Sequence, residues 1–216
     1  MTSRTHEEIR QQLAQHIAQL IADHGLEPAQ ARKRALEALS GGQRLPNSAL
    51  PDSLDIDRAL FEHLELFDPK HRQRVMHMRE VAIAMMRKIL PTPILATGAV
   101  WKGIASVDAP IHLQAFPDDE KQLHFQLLDL GLNPEPLELR HFRTGKPIEA
   151  LGVHWQQEAI MIAIYRPNDF RGALQPSQIG GQSVIERGDL RALEAKLATQ
   201  SPSLVKQQLS AMVKKQ

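Results

Sequence analysis

The segment 97–116 contains the residues of this chain that are best suited to binding an anionic ligand. A run of small residues, Thr97-Gly98-Ala99, follows a short apolar stretch and indicates a sharp turn, and a second glycine follows at Gly103. Glycine lets the backbone approach a phosphate closely, because it has no side chain and adopts conformations that other residues avoid. Lys102 belongs to the same turn and could add a positive charge. A purely structural turn explains the glycine spacing equally well.

Two polar residues, His112 and Gln114, follow in a stretch that is otherwise apolar. Strand side chains alternate between the two sides of a sheet, so a core that contains Ile111, Leu113 and Ala115 would leave both polar residues on the opposite side. There they could hydrogen-bond to a nucleotide, a sugar or an RNA end. A solvent-facing strand edge is the alternative interpretation.

The elements that must position these residues begin with a helical region. Apolar residues recur at helical spacing in the first ninety residues and predict four helices, over residues 5–24, 28–39, 56–67 and 69–90. Thr5 and Glu8 have the spacing of a capping box, which predicts that the first helix begins at Thr5. Glycine, proline, asparagine and serine are frequent at about residues 41–54, where a linker is expected.

After Pro91 and Pro93 the pattern changes to short apolar runs mixed with helical segments. Strands are predicted at residues 94–96, 111–116, 136–142, 153–155 and 159–165, and helices at 121–131, 189–199 and 203–215. The run 159–165 is apolar enough to be a central strand. Together these patterns indicate an α+β fold, with a helical region over residues 1–90 and a small mixed-sheet domain with C-terminal helices over residues 91–216.

The turn at Gly98 and the strand beyond it resemble the nucleotidyltransferase superfamily, in its polymerase-β-like, minimal form. The signature of that family is a strand, a Gly-Ser or Gly-Gly turn and then a strand with two acidic residues at alternate positions. Gly98-Ala99 matches the turn, with alanine as the second residue, and Gly103 and Ala105 match the small residues that often follow. The resemblance covers residues 90–170 and extends to uncharacterised bacterial proteins in which this fold follows an N-terminal helical extension.

The resemblance implies that two carboxylates hold magnesium ions, which bridge the nucleotide phosphates and an attacking hydroxyl. In this chain Pro110 and His112 occupy those two positions, and neither supplies the carboxylate oxygens that magnesium prefers. The candidate catalytic residues are then Asp108 and, from a later strand, Glu138 or Glu158, with magnesium as cofactor only if the protein is catalytic. Otherwise the resemblance implies a degenerate member that binds a nucleotide or RNA end without catalysis.

The sequence therefore predicts a nucleotide-binding site of small, polar and basic residues, namely Thr97, Gly98, Ala99, Lys102, Gly103, His112, Gln114 and Arg140. Arg140 is included because it belongs to a basic group that would converge on an anion if its loop lay at the Gly98 end of the sheet. Ten histidines are scattered without a paired spacing, so no metal-binding set is expected.

Composition limits the classes of protein that this chain can be. Of its 216 residues, 42% are hydrophobic and 24% are charged, which is typical of a globular protein. The net charge of +1 excludes a general nucleic-acid binder with strong positive charge, although a local patch is compatible with it. The absence of cysteine excludes disulfides, thiolate catalysis and cysteine zinc sites.

The N-terminus is polar and no apolar run is long enough to span a bilayer, so neither a signal peptide nor a membrane span is expected and a cytoplasmic location is predicted. Three functions stay open at this stage: a degenerate nucleotide or RNA-end binder, an active magnesium-dependent nucleotidyltransferase, and a non-enzymatic interaction protein. The last would use the N-terminal helices to contact a protein partner or a second copy of the chain.

Overall fold

The computed structural model describes residues 2–40 and 44–200 and shows an α+β fold with N-terminal helices, which confirms the predicted class. The helix predicted over residues 203–215 lies outside the described residues. None of the helices in the described ranges has the length and apolar character needed to cross a membrane.

By compactness the chain divides into two units. The first takes the described residues of Met1–Arg72 together with Lys102–Ala109 and Ser177–Val184. The second takes Gln73–Trp101, Pro110–Pro176 and the described residues from Ile185 onward. A domain boundary near residue 90 stays a prediction.

The first unit is built from helices α1 (Thr2–His24), α2 (Pro28–Ser40) and α3 (Ser53–Phe67), and it includes the first residues of α4 (His71–Lys88). Helix α1 begins at Thr2 and not at the predicted Thr5. Helix α3 begins earlier than predicted because Asp52 caps it, accepting hydrogen bonds from the amides of Leu54 and Asp55 at 2.8 and 3.0 Å. Small residues on α2 let it pack closely on α1, and the buried core consists of Leu13, Ala14, Ile17, Leu20, Ala31, Ala35 and Ile56.

The second unit contains a six-stranded sheet in the order β3-β4-β5-β2-β1-β8. Its strands are β1 (Ile94–Thr97), β2 (Ile111–Ala115), β3 (Glu135–Arg140), β4 (Pro147–Trp155), β5 (Glu158–Ile164) and β8 (Arg187–Gly188). Strands β2 and β5 are parallel, and every other neighbouring pair is antiparallel. Strand β5 lies between β4 and β2, which confirms the prediction of a central strand.

The other elements connect these strands or lie beside them. They are α5 (Gly98–Lys102), α6 (Glu120–Asp129), α7 (Phe170–Ala173), α8 (Leu190–Gln200), the hairpin β6 (Ser177–Ile179) and β7 (Gln182–Val184), and 3₁₀ turns at Asn47–Ala49 and Pro167–Asp169. The hairpin belongs to the first unit, and α6 and α8 belong to the second.

The sheet has two chemically different faces. One, the aliphatic face, carries Ile111, Leu113, Ala115, Ile160 and Ile162, all buried. Helix α4 lies on this side, since its His77 approaches Glu158 at 3.5 Å and Glu158 points the same way as Ile160. The other, the polar face, carries Thr97, His112, Gln114 and Met161.

Candidate functional site

The glycine corner between β1 and α5 lies directly against β2. Gly98 has a φ of +68°, a conformation that L side chains rarely adopt and that glycine adopts without strain. Thr97 pairs with His112 across the β1–β2 ladder, which brings the imidazole to the corner. A side-chain carbon placed on Gly98 would lie 3.3 Å from Cδ2 of His112. The structure thus brings Thr97, Gly98 and His112 together.

A row of residues runs across the polar face at the level of this corner. The register places His112 opposite Met161 on β5, and Met161 opposite Gly152 on β4. Together with Thr97 these residues form what we call the open row, and each of its four members is only partly buried. A ligand would therefore meet one polar ring, one hydroxyl, one thioether and, at Gly152, the side chain of Leu137 that covers the glycine.

The next row along the polar face is closed. Gln114 is 5% exposed, and its Nε2 donates to the hydroxyl of Tyr165 over 3.5 Å. Tyr165 stacks on Phe116 with ring centroids 5.4 Å apart, and Phe116 in turn contacts Phe170. Burial raises the pKa of Tyr165, because the charged phenolate is disfavoured away from water. The aromatic cluster therefore ends the open row on one side.

Two arginines that the sequence analysis did not select support this region. Arg79 of α4 is buried, and its Nε and Nη2 donate to the carbonyls of Val100 and Trp101 at 3.0 Å each. These carbonyls belong to α5, so the guanidinium holds the helix that follows the glycine corner. Burial lowers the pKa of Arg79 to about 10. Arg79 interrupts the apolar stripe of α4, and a charged residue within such a stripe could have indicated its role from the sequence.

The second arginine, Arg187, lies on β8 and pairs with Thr97, on the side of β1 that faces away from β2. Its side chain is buried, and burial lowers its pKa. Strand β8 has only two residues, so no periodic pattern could have revealed the position of Arg187 from the sequence.

Three predicted site residues belong to the first unit. The amine of Lys102 lies 2.6 Å from Oδ2 of Asp57, so its positive charge already has a carboxylate partner. Gly103 is buried with a φ of +80°. Asp108 is exposed beside Gly25, where a side-chain carbon would lie 3.5 Å from its Oδ2.

Two further predicted residues lie on the edge strand β3, three strands from β2. Glu138 is exposed, and its register partner Glu149 places it on the side of the sheet opposite to His112. Arg140 donates from Nη1 to the carbonyl of Gly145 at 3.0 Å, within the turn between β3 and β4. The structure does not bring either residue to the glycine corner. Ala99 is partly buried in α5, next to that corner.

The side chains present do not fit a magnesium centre of the kind that the resemblance implies. The two expected acidic positions hold Pro110 and His112, and the neighbouring strand β5 turns Ala159, Met161 and Ala163 to the same face. Magnesium prefers oxygen ligands, above all carboxylates. Among the described residues no group of three or more histidine, aspartate or glutamate side chains is arranged to hold a metal ion.

The sequence matches no protein-family model, and it matches no curated protein. Several solved structures are similar to parts of it. A cytoplasmic RNA terminal U-transferase aligns with 16% identity and a TM-score of 0.31, over 42% of this chain and 30% of that chain. The RNA terminal uridylyl transferase Cid1 aligns with 15% identity and a TM-score of 0.32, over 51% and 36%. A MgGTP-bound Cid1 poly(U) polymerase aligns with 15% identity and a TM-score of 0.29, over 42% and 32%. This chain spans about a third of the length of these enzymes.

Proposed function

We propose that this chain is a nucleotidyltransferase-like protein that binds a nucleotide or an RNA end on its polar face and does not catalyse transfer. The observation that carries the proposal is the contact between Gly98 and His112. It joins a glycine corner of positive φ to the middle of a partly exposed sheet face, which is the arrangement that the sequence resemblance implies.

The corner and the open row offer complementary contacts to such a ligand. Gly98 has no side chain, so an anionic group can approach the backbone amides of the turn. The hydroxyl of Thr97 donates to the carbonyl of Glu186 at 3.0 Å, and its oxygen keeps lone pairs for a ligand donor. Met161 and Leu137, whose side chain covers the glycine of β4, offer an apolar surface against which a base or ribose can pack.

The side chains of the polar face also support the proposal that the protein does not catalyse transfer. Metal-assisted phosphoryl transfer needs anionic oxygens that hold the metal between the reacting groups. At the level of His112, β5 contributes the thioether of Met161, while the carboxylates of Glu138 and Glu158 point to the aliphatic side. The face therefore provides groups that bind and orient a ligand, and it provides no carboxylate on β2 or β5.

A thermal-unfolding screen with ATP, CTP, GTP and UTP, each with and without magnesium, tests this function. Binding to the folded state alone stabilises it by about 2.7 kcal/mol at roughly 100 times Kd, so a bound nucleotide will raise Tm measurably. We expect at least one nucleotide to raise Tm equally with and without magnesium. A rise that requires magnesium would favour an active magnesium-dependent enzyme, and no rise would favour an interaction protein.

A pair of histidine variants locates the binding. His112→Ala should abolish the nucleotide-dependent rise in Tm, because it removes the ring that faces the corner. His124→Ala is the matched control, since His124 is also partly buried but belongs to helix α6 and to none of the strands that form the open row. Equal loss of the response in both variants would contradict the proposed position of the ligand.

A further inference from the structure

Arg187 has a buried guanidinium whose hydrogen bonds are incomplete. The residue is 8% exposed, and Nη1 donates to the carbonyl of Ala173 at 3.1 Å. Nε is buried as well, yet no acceptor within the described residues lies in reach of it. Buried donors are almost always paired, so an unpaired guanidinium N–H at the rim of a partly exposed face points to a missing acceptor.

The direction of this N–H is fixed by packing. The guanidinium carbon of Arg187 lies 4.3 Å from the centre of the Phe142 ring, and Phe142 contacts Tyr165 with centroids 5.3 Å apart. A guanidinium held at one corner by Ala173 and stacked on an aromatic ring cannot rotate freely. Its Nε donor therefore has a fixed direction, and because the atom is buried, an acceptor reaches it only after neighbouring side chains move.

The charges around Arg187 favour a negatively charged acceptor. Oε2 of Glu186 forms an ion pair with Nη2 at 3.7 Å, and this pairing leaves Nε without a hydrogen bond. Arg143 adds a second positive charge, which lowers the pKa of Arg187 further. Asp169 is the other carboxylate in this cluster, and it approaches His141 at 3.5 Å. An oxyanion on Nε would form a charge-assisted hydrogen bond and offset the repulsion between the two guanidiniums.

A second incomplete group lies on the same side of the sheet. Oε1 of Gln114 is buried with no partner in the described ranges, while Nε2 is bonded to Tyr165. Exchanging the amide oxygen and nitrogen would satisfy one atom and leave the other unpaired, so the deficit does not depend on the amide orientation. Gln114 stands two residues beyond His112 on the polar face, and Arg187 lies across β1 from His112 through Thr97.

We propose that Arg187 binds a phosphate oxygen of the ligand through Nε, and that the aromatic cluster closing the row of Gln114 moves to admit this ligand, so that the amide of Gln114 contacts a polar group of it. This inference rests on the proposed nucleotide or RNA-end function and names the residue that recognises its phosphate. Because Thr97 pairs with Arg187 and precedes Gly98, the backbone of Arg187 lies beside the glycine corner, and its guanidinium extends from there to Phe142.

The direct test is an NMR titration of the intact protein labelled with ¹⁵N-arginine. The Nε–H signal of Arg187 is assigned by its loss in Arg187→Lys. Inorganic pyrophosphate, ATP, UTP, adenosine and uridine are then added at matched ionic strength, with sodium chloride as the salt control. Pyrophosphate and the two triphosphates should move this signal to saturation, and the two nucleosides should not. A signal that stays in place with pyrophosphate and both triphosphates would overturn the proposal.

The same titration separates this inference from the proposed function. If nucleotides raise Tm and the Arg187 signal stays in place, nucleotide binding stands and the phosphate contact of Arg187 is wrong. If pyrophosphate moves the signal and ATP and UTP bind no more tightly than pyrophosphate, the oxyanion contact stands and recognition of a nucleoside is wrong.

Affinity measurements on variants give the second readout. Arg187→Gln should weaken pyrophosphate binding by about tenfold or more, the loss expected for one charge-assisted hydrogen bond, and Arg187→Lys should weaken it less. Arg140→Gln is the matched control and should bind as the wild type does, since Arg140 is bonded within its own turn. Unchanged affinity in folded Arg187→Gln would refute the contact. If that variant does not fold, Arg187→Lys and the wild-type titration decide.

Discussion

The two faces of strands β2 and β5 differ in chemistry although they belong to the same residues of the chain. On the aliphatic face Ile111, Leu113, Ile160 and Ile162 are all at most 1% exposed. On the polar face the alternate positions include His112 and Met161, which are only partly buried. Adjacent residues thus serve different purposes, because successive side chains of a strand point to opposite sides.

This difference separates residues that are buried in the core from residues that are partly exposed on the polar face. Burial of aliphatic side chains supplies most of the stabilisation of a sheet packed against helices. A polar group on the opposite face contributes little to that stabilisation, and an unpaired buried one such as Oε1 of Gln114 reduces it. The partly exposed polar residues of this face are the ones that we propose to contact a ligand.

The largest effect is expected on the aliphatic face. Leu113→Ala should lower the free energy of unfolding by about 3 kcal/mol, because it removes buried methyl groups and leaves a cavity. Urea denaturation with matched m-values measures the loss. A loss below about 1 kcal/mol would show that this face is not the principal core of the second unit.

A smaller effect is expected at the glycine corner. Gly98→Ala should cost about 1–2 kcal/mol, since φ is positive there and the new carbon would press on His112 at 3.3 Å. In a His112→Ala background the cost should fall, because the contact with the ring is gone and only the backbone strain is left. A double-mutant cycle measures the difference, and strict additivity would contradict the close packing of the two residues.

His112→Ala is expected to have a still smaller effect on stability. Its ring is partly exposed, so the change should cost less than about 1 kcal/mol in the absence of ligand while it removes the nucleotide response. Parallel denaturation of His112→Ala and Leu113→Ala compares the two faces at neighbouring positions. Equal losses in the two variants would mean that His112 belongs to the core.

The smallest expected effect is a loss of stability at alkaline pH, caused by the titration of Tyr165. Burial raises the pKa of Tyr165 above its ordinary value of 10.0, so its protonated form stabilises the fold below about pH 10, and this contribution is lost as the pH rises through the raised native pKa. Tyr165 is the only tyrosine in the chain, so phenolate absorbance reports on it alone. In the native protein the midpoint of the phenolate titration should lie at a higher pH than in protein unfolded by urea. A variant with Tyr165→Phe should lack the corresponding alkaline loss of stability.

Much of the fold could be predicted because long periodic segments reveal burial. The spacing of Leu13, Ile17 and Leu20 predicted α1, and the apolar run 159–165 predicted a central strand. Strand β4 is longer than the predicted 153–155, since Pro147 and Gly152 weaken its strand pattern. Strand β8 and helix α7 were not predicted, because two and four residues are too few to show a period.

The candidate site could be predicted only in part. The proximity of Gly98 to His112 could be predicted because a short segment connects them and strand side chains alternate. Lys102 was assigned to a phosphate, but its partner is Asp57, which is 45 positions away and therefore invisible to local spacing. Arg187 was missed for the same reason, since its place beside Thr97 depends on a strand pairing between distant parts of the chain.

By itself the amino-acid sequence determined which side chains are polar or apolar and where glycine permits a sharp corner. It also determined that proline and histidine, and not acidic residues, occupy positions 110 and 112. The tertiary structure decided which of these residues meet. The strand order placed β5 beside β2, with Met161 opposite His112. The pairing of β8 with β1 brought Arg187 to Thr97. The physical reason is that periodicity is a local property, whereas the pairing of distant strands is settled by the burial of the whole domain.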